Sequence, residues 1–182
     1  MTDPTGRSQT PGGATNVQFQ AVYRGEIAWV VHTLRRLGVP TASLEDVAHD
    51  VFVAVHRHLA SYDPARPIRP WLFSFAYRMA RDHRALAHHR REAGGAPIEH
   101  ATDPALPADE RIDQERRRLL LQAVLAELDF DKRSMVLMHD LEGMTVPAIA
   151  EVLGIPVNTA YSRLRLARAE FERTLERLGG LR

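Results

Sequence analysis

The chain has 182 residues, of which 45% are hydrophobic and 26% charged, and its formal net charge is only +1. These values are typical of a globular protein with one large or two small domains, and a nucleic-acid surface would need local clustering of basic residues. The absence of cysteine excludes disulfides, thiolate zinc sites and cysteine nucleophiles. No apolar run approaches the ~20 residues of a membrane-spanning helix, so no membrane insertion is expected.

The first 16 residues, MTDPTGRSQTPGGATN, are polar and rich in glycine and proline. They lack the apolar core of a signal peptide, and we predict a disordered leader over residues 1–16. From there the apolar residues recur mostly at steps of three and four, which predicts an α-helix from Val17 to Leu37. Gly38 and Pro40 would end this helix.

Two further helices are predicted in the first half of the chain. Ser43 is a good N-cap for a helix that would reach about Tyr62, with apolar residues along one face. The segment SYDPARPIRP is punctuated by prolines and predicts a stiff loop. Pro70 fits the first turn of a third helix, which follows directly.

The second half of the chain predicts four shorter helices, of which the first two cover about residues 109–127 and 131–141. The sequence therefore predicts an all-α protein made of two small helical domains, residues 17–91 and 109–182. Residues 92–108 combine many helix breakers with little periodicity, which predicts a flexible linker between them.

The last two predicted helices form a helix-turn-helix corner. Thr145 would cap the first of them, and Gly154 would end it in the left-handed conformation. Asn158 or Thr159 would cap the second, so that only about four residues separate the two helices. Small and apolar residues on both helices are predicted to pack at this corner: Ala150, Ala160, Ile149, Val152, Leu153, Ile155, Leu164 and Leu166.

The second helix of the corner carries polar and basic side chains near its start. In helix-turn-helix proteins this part of the helix reads base edges in the major groove. Arginine can bridge two acceptors on guanine, and it can also hold phosphates. The candidate DNA-binding residues are Asn158, Thr159, Tyr161, Ser162, Arg163, Arg165 and Arg168. A packed helical hairpin with a solvated basic face is the alternative, and these residues alone leave both interpretations open.

Both halves of the chain resemble the sigma-70 family of RNA polymerase sigma factors, in the short extracytoplasmic-function (ECF) form. In the first half, LEDVAHDVFVAVHRHLASYDPARPIRPWLFSFAYRMARDHRALAHHRR is similar to sigma region 2. Its matching positions are Glu45, Asp46, His49, Asp50, Phe52, Tyr62, Asp63, Pro64, Trp71, Leu72, Asp82 and His83. In the second half, HDLEGMTVPAIAEVLGIPVNTAYSRL is similar to sigma region 4. The two segments follow each other in this order along the chain, and together they cover most of residues 17–178.

The resemblance implies a sigma factor that binds core RNA polymerase and directs promoter recognition and transcription initiation. It implies no enzymatic activity and no cofactor, and a cytoplasmic location. The helix of residues 43–62 would dock on the clamp helices of the largest polymerase subunit, and region 4 would meet the flap of the second-largest subunit. The implied docking residues are Glu45, Asp46, His49, Asp50 and Arg57. An anti-sigma factor that covers these surfaces is a further expected partner.

The resemblance also assigns the two promoter elements. The helix from Asn158 to Arg168 would read the −35 element as duplex DNA, whereas the loop from Tyr62 to Arg69 would capture a base flipped from the −10 element. The implied −10 residues are Tyr62, Asp63, Arg66, Arg69, Arg78, Arg81, His83 and Arg84. Further basic residues that would extend this face are His88, His89, Arg90 and Arg91. Trp71 is interpreted as a core anchor rather than a stacking platform.

The sequence departs from the family pattern at several positions. Arg78 stands where the family often has asparagine, and Asn158 and Ala160 replace a frequent glycine and a usual valine. Tyr161 replaces the common lysine or arginine at the start of the recognition helix. Its side chain could contact a thymine methyl or a phosphate, or pack on the first half in an inhibited state. These departures bear on the promoter sequence and not on the class of function.

Other functions are less well supported by the sequence. Two histidine pairs, His56 with His58 and His88 with His89, lack further ligands in a defined scaffold, which argues against a metal site. There is no phosphate-binding loop and no nucleophile elbow, which argues against an enzyme. The main alternative is a repressor or activator that binds a palindrome as a dimer. Such a protein would not need a strand-capturing loop beside a polymerase-docking helix.

Overall fold

A computed structural model describes residues 11–92 and 110–179 of the chain, with side chains for residues 18–87 and 115–179. Over these ranges the protein contains only helices and turns, which confirms the predicted all-α fold. The helices are α1 (Pro11–Leu37), α2 (Leu44–His58), α3 (Ile68–Glu92), α4 (Glu110–Glu127), α5 (Phe130–Val136), α6 (Val146–Leu153) and α7 (Val157–Gly179). Short 3-10 turns flank α2 (Thr41–Ser43 and Leu59–Ser61), and a π-helical turn (Leu137–Leu141) continues α5.

Two helix boundaries in the first half differ from the predicted ones: the start of α1 and the end of α2. Helix α1 already begins at Pro11, inside the predicted leader. Helix α2 ends at His58, and the 3-10 turn that follows brings the chain to Tyr62. Helix α3 begins at Ile68, so that Pro70 lies in its first turn as expected.

Helices α1, α2 and α3 (the N-terminal half) pack on one another pairwise around a buried apolar core. Each helix contributes side chains at helical spacing to this core. Its largest fully buried members are Val30, Leu34, Val51, Val55, Leu72 and Phe73. Burial of such side chains, worth roughly 1.5–3 kcal/mol each, holds the three helices together.

Helices α4 to α7 (the C-terminal half) form a second bundle in which the long helix α7 packs on α4, α5 and α6. Asp129 caps α5 by accepting a hydrogen bond from the amide of Lys132 at 2.9 Å. The largest fully buried hydrophobic side chains here are Val124, Met135, Leu137, Met138 and Ile149. This bundle fixes the direction of α7, which carries the candidate −35 residues.

The two halves also pack against each other. Their buried hydrophobic residues form one continuous cluster, in which the rings of Tyr77 and Phe130 stack with centroids 5.5 Å apart. The sequence predicts two domains joined by a flexible linker and contains no signal for this contact. No helix in the described ranges is long and apolar enough to cross a lipid bilayer.

Candidate nucleic-acid and polymerase interfaces

Helices α6 and α7 form the helix-turn-helix corner that the sequence predicts. The side chain of Thr145 accepts a hydrogen bond from the amide of Ala148 at 3.4 Å and thereby caps α6. Gly154 ends α6 in the left-handed conformation, with φ of 66°. Ala150 and Ala160 are buried where the helices cross, and their small side chains permit the close approach.

Asn158 and Thr159 were predicted as alternative N-caps of α7, and the structure places neither in that role. The helix begins at Val157, and the amide of Ala160 already donates to the carbonyl of Pro156 at 3.1 Å. Both side chains therefore lie in the first turn, where Asn158 is exposed and Thr159 is half-buried. This is the part of a recognition helix that meets base edges in the major groove.

The predicted −35 residues lie on the solvent-facing side of α7. All of them except Thr159 are exposed: Asn158, Tyr161, Ser162, Arg163, Arg165 and Arg168. Ala160, Leu164 and Ala167 face the bundle instead and are buried. The alternation follows from the 3.6-residue repeat of the helix, which separates a core stripe from a polar stripe.

Tyr161 is 56% exposed. It lines a shallow groove on α7 together with Ser162, Arg165 and Arg168. Three roles of Tyr161 were left open by the sequence, and its role stays a prediction. The thymine-methyl and phosphate contacts are the roles compatible with this placement.

Arg168 is held by the protein rather than pointing freely into solvent. Its Nε donates to Oδ2 of Asp140 at 3.1 Å, and its Nη2 donates to Oδ1 of the same carboxylate. Nδ1 of His139 lies 3.0 Å from Nη2 of Arg168. The hydrogen bonds from Arg168 hold the pKa of Asp140 below its ordinary value of 3.8.

Leu166 was predicted to pack at the corner, and this prediction is wrong, because the side chain is 53% exposed. It lies two residues after the buried Leu164, which places it about 200° around the helix from the core stripe. With Arg163 it lines a cavity of about 620 Å³ between the two halves. Across that cavity stand Arg81 and Arg84 of α3.

The candidate polymerase-docking residues form one exposed stripe on α2. The exposed members are Glu45, Asp46, His49, Asp50 and Arg57. The opposite face of the same helix is buried through Val47, Val51 and Val55. Phe52 is also buried, and its ring makes edge contacts with Phe19 and Tyr23 of α1. The stripe is thus presented on a rigid helix, as a protein-docking surface requires.

The loop between α2 and α3 is ordered by its own polar groups. The Tyr62 hydroxyl donates to the carbonyl of Arg66 at 2.5 Å, and a carboxylate oxygen of Asp63 accepts from the amide of Ala65 at 3.0 Å. The ring of Tyr62 lies 5.0 Å from that of Trp71. Trp71 in turn makes an edge contact with Phe75 and is half-buried, as expected for a core anchor.

Arg69 follows this loop in the first turn of α3, and its side chain contacts α1. Its Nε donates to Glu26 at 3.0 Å, and its guanidinium lies 5.6 Å from the ring centroid of Trp29. The carboxylate of Glu142, from the C-terminal half, accepts a hydrogen bond from the side chain of Trp29. Burial raises the pKa of Glu142, while the nearby charges of Arg36 and Arg69 oppose that rise.

The remaining −10 candidates lie along α3. Arg78, Arg81 and Arg84 are exposed, and His83 is half-buried. The three arginines each lie over an aromatic ring, with guanidinium-to-centroid distances of 5.9, 5.9 and 5.5 Å. For Arg84 this ring is Phe130 of the C-terminal half. The candidates His88 to Arg91 lie outside the residues whose side chains the structure describes.

Arg133 makes a buried polar contact between the halves that the sequence did not predict. The side chain is only 9% exposed, and its Nη1 donates to the carbonyl of Leu37 at 3.3 Å. Its Nη2 donates to the carbonyls of Ala126 and Leu128 at 2.9 and 3.1 Å. Burial lowers the pKa of this guanidinium, and the charge of Arg84 adds to the shift. An arginine inside an apolar helical pattern is the only signal that the sequence offers.

The backbone of the N-terminal half is shaped to receive Arg133. Gly38 follows α1 with φ of 92°, and a Cβ atom there would overlap with Nη1 of Arg133. Glycine suits this position for two reasons: it adopts the left-handed conformation readily, and it leaves room for the guanidinium of Arg133. Among the described residues, no group of three or more histidine or acidic side chains could hold a metal ion.

Comparison with known proteins agrees with this geometry. The family model for sigma-70 region 2 matches residues 22–93, and that for sigma-70 region 4 matches residues 118–171. RNA polymerase sigma factor CnrH of Cupriavidus metallidurans is 31% identical over 176 residues, covering 93% of this chain and 92% of that protein. The ECF RNA polymerase sigma factor SigL of Mycobacterium tuberculosis is 30% identical over 162 residues, covering 88% and 90%.

Two solved structures share the fold. CnrH in complex with the cytosolic domain of CnrY superposes with a TM-score of 0.56 at 28% identity, over 87% of each chain. Sigma factor RpoE of Bartonella quintana, in complex with the anti-sigma factor NepR, gives a TM-score of 0.66 at 17% identity. That match covers 87% of this chain and 97% of the other.

Proposed function

This chain belongs to the sigma-70 family of RNA polymerase sigma factors, and it is an ECF-type factor for promoter recognition and transcription initiation. From this premise, we propose that its two halves divide promoter recognition between them. The C-terminal half binds the −35 element as duplex through α7. The N-terminal half docks on core polymerase through α2 and binds the −10 element through α3 and the preceding loop.

The proposed −35 surface lies on α7 and the proposed docking surface lies on α2, and the buried faces of these helices separate the two surfaces. This separation is the observation that supports the division. Most of the −35 residues stand on the outer face of α7, whose other face packs on α4, α5 and α6, while Arg163 lines the cavity between the halves. The carboxylates of α2 stand on a helix whose opposite face is the core of the other half. Arg165 is the central candidate for base contact, because it is exposed and lines the groove beside Tyr161.

The −10 contacts would combine stacking with phosphate binding. Tyr62 would offer a ring and the exposed arginines of α3 would offer guanidinium groups, the two kinds of group with which proteins hold single strands. Arg81 and Arg84 would hold the backbone of the separated strand. The protein itself performs no bond chemistry in this scheme, because the polymerase makes the RNA, and melting is driven by binding of the flipped base.

We further propose that the protein acts in the cytoplasm, with core polymerase, promoter DNA and an anti-sigma factor as its partners. Binding of core polymerase and chromosomal promoters requires the cytoplasm, where both are found. A similar factor was solved in complex with the cytosolic domain of CnrY, and another in complex with the anti-sigma factor NepR. By analogy we propose an anti-sigma factor as a further partner, which would cover the surfaces described here. The flap of the second-largest polymerase subunit is the proposed contact of the C-terminal half.

The direct test is reconstitution of initiation. The protein is mixed with core RNA polymerase, co-elution is measured, and a random promoter pool is transcribed in vitro. We expect co-elution and enrichment of start sites that share two sequence elements. A protein that fails to co-elute but binds a palindromic duplex tightly on its own would be a repressor or activator instead.

A further inference from the structure

Asn158 carries a side chain that the fold leaves unused at the start of α7. The helix begins one residue earlier, at Val157, so the side chain of Asn158 does not act as its N-cap. The backbone carbonyl of Asn158 accepts a hydrogen bond from the hydroxyl of Ser162 at 3.1 Å. Its exposed side-chain amide has no hydrogen-bond partner among the residues that the structure describes. This amide is therefore available to a ligand.

The position of Asn158 on α7 distinguishes it from other surface amides. The inward direction of the helix is defined by its buried stripe of Ala160, Leu164 and Ala167. At about 100° per residue, Asn158, Ser162 and Arg165 lie about 130–170° around the helix from the centre of this stripe. These three candidates face most directly away from the bundle. In a docked recognition helix, that side meets the base edges of the major groove.

Of the three arginines among the −35 candidates, two are engaged elsewhere. Arg168 is bound to Asp140, and Arg163 lines the cavity between the halves. Arg165 makes no ion pair and no hydrogen bond within the described ranges, and it lines the shallow groove on α7. Arg165 and Asn158 therefore share an outward direction and a side chain that no other residue occupies.

The chemistry of these two side chains matches two different bases. A side-chain amide donates one hydrogen bond and accepts another, which suits N7 and the N6 amino group of adenine. A guanidinium donates two, which suits N7 and O6 of guanine. The short side chain of Asn158 lies in the first turn, where a recognition helix comes closest to the bases, and the long side chain of Arg165 lies further along.

The spacing of the two residues predicts the spacing of the two bases. Arg165 follows Asn158 by seven residues, which is nearly two full turns. At 1.5 Å per residue, the two positions are about 10.5 Å apart along the helix axis. For a helix that lies along the groove, this length corresponds to about three base pairs at 3.4 Å each.

We propose that Asn158 is a specificity-determining residue, which reads an adenine of the −35 element about three base pairs from a guanine read by Arg165. This inference rests on the proposed function of α7, and it adds the identity and the separation of two base pairs. A contact between Asn158 and a phosphate is the alternative, and it would carry no preference for any base.

Selection from a random promoter pool tests this inference. The full chain in complex with core polymerase selects its −35 element, and the selection is repeated with Asn158→Ala, Arg165→Ala and Gln18→Ala. Gln18→Ala is the matched control, because it removes an exposed amide from α1, outside the proposed DNA and polymerase surfaces.

We expect Asn158→Ala to lose the preference for adenine at one base pair, by at least about fivefold, and to keep the other preferences. Arg165→Ala should lose a preference for guanine about three base pairs away. Gln18→Ala should return the same element as the natural protein.

A modified base tests the contact at a single atom. In a promoter duplex, 7-deazaadenine replaces the selected adenine, which removes the N7 acceptor and keeps the base pair. The natural protein with core polymerase should bind this duplex several-fold more weakly than the unmodified one. The complex with Asn158→Ala should bind both duplexes equally. Equal binding of both by the natural complex would overturn the contact.

The selection also distinguishes a failure of this inference from a failure of the proposed function. If the natural protein selects no shared −35 element, the proposed function is wrong, and the reading by Asn158 is wrong with it. If an element is selected and Asn158→Ala keeps every base preference, or weakens binding uniformly as loss of a phosphate contact does, only the reading by Asn158 is wrong. The same holds if Asn158→Ala and Arg165→Ala affect one base pair, or base pairs more than about five apart, because side chains two turns apart could not read them.

Discussion

Arg168 and Asp140, 28 residues apart in the chain, form a two-pronged ion pair that joins α7 to the π-helical turn after α5. Both side chains are partly exposed, at 46% and 31%, and Nδ1 of His139 lies beside them. The buried stripe of Ala160, Leu164 and Ala167 sets which residues of α7 face outward, and the ion pair adds a partly exposed contact to that packing.

We expect the Asp140→Asn variant to lose stability in a pH-dependent way. The folded-state pKa of Asp140 lies below 3.8, so its contribution is fully present above that value and is lost as the pH falls through the folded-state pKa. Because the pair is partly exposed, we expect a loss of only about 0.5–1 kcal/mol at neutral pH. Thermal unfolding at pH 7 and pH 3 measures this difference. If Asp140→Asn lowers the stability equally at pH 7 and at pH 3, the ionised carboxylate of Asp140 is not what stabilises the fold.

The helix-turn-helix corner shows what the sequence could predict. Thr145 acts through a hydrogen bond to an amide three residues away and Gly154 through its own backbone conformation, and both were found in their predicted roles. Periodicity alone misplaced Leu166, because an apolar residue was assumed to be buried, although single exposed apolar side chains are ordinary. Arg133 was missed because its partners are backbone carbonyls, and one of them lies 96 residues away. Contacts of that kind leave no trace in local sequence spacing.

Arg165→Ala should weaken −35-dependent transcription more than it weakens polymerase binding. The side chain is exposed on the outer face of α7, so its removal leaves the bundle intact. Loss of one good base contact typically costs about 1–3 kcal/mol, which predicts a roughly five- to hundredfold loss of duplex affinity. Run-off transcription and a polymerase pull-down measure the two effects. Arg117→Ala, an exposed arginine of α4, is the control, and equal losses in both assays would indicate a folding defect.

Asp50→Ala should weaken binding to core polymerase while the C-terminal half still binds −35 duplex. Asp50 lies in the exposed stripe of α2, and its loss removes a charge from the proposed docking surface. The expected change is several-fold in affinity and greater at low salt, since exposed charges are screened at high salt. A pull-down at two ionic strengths provides the measurement. Glu176→Ala on α7 controls for net charge, and an unchanged pull-down for Asp50→Ala would show that the docking surface lies elsewhere.

Two glycines give opposite expectations for the same substitution. A Cβ atom added at Gly25 or at Gly154 would meet nothing within 4 Å, so neither substitution causes a clash. Gly25 lies inside α1 in the helical conformation, where alanine is favoured by roughly 0.5–1 kcal/mol. Gly154 has φ of 66°, where an alanine side chain is strained by about 1 kcal/mol or more. We therefore expect Gly25→Ala to raise the midpoint of thermal unfolding and Gly154→Ala to lower it.

Gly154→Ala should also weaken −35 duplex binding, because the angle between α6 and α7 depends on that residue, whereas Gly25→Ala should leave duplex binding unchanged. Two shifts of the same sign would show that the backbone conformation at Gly154 does not control the corner.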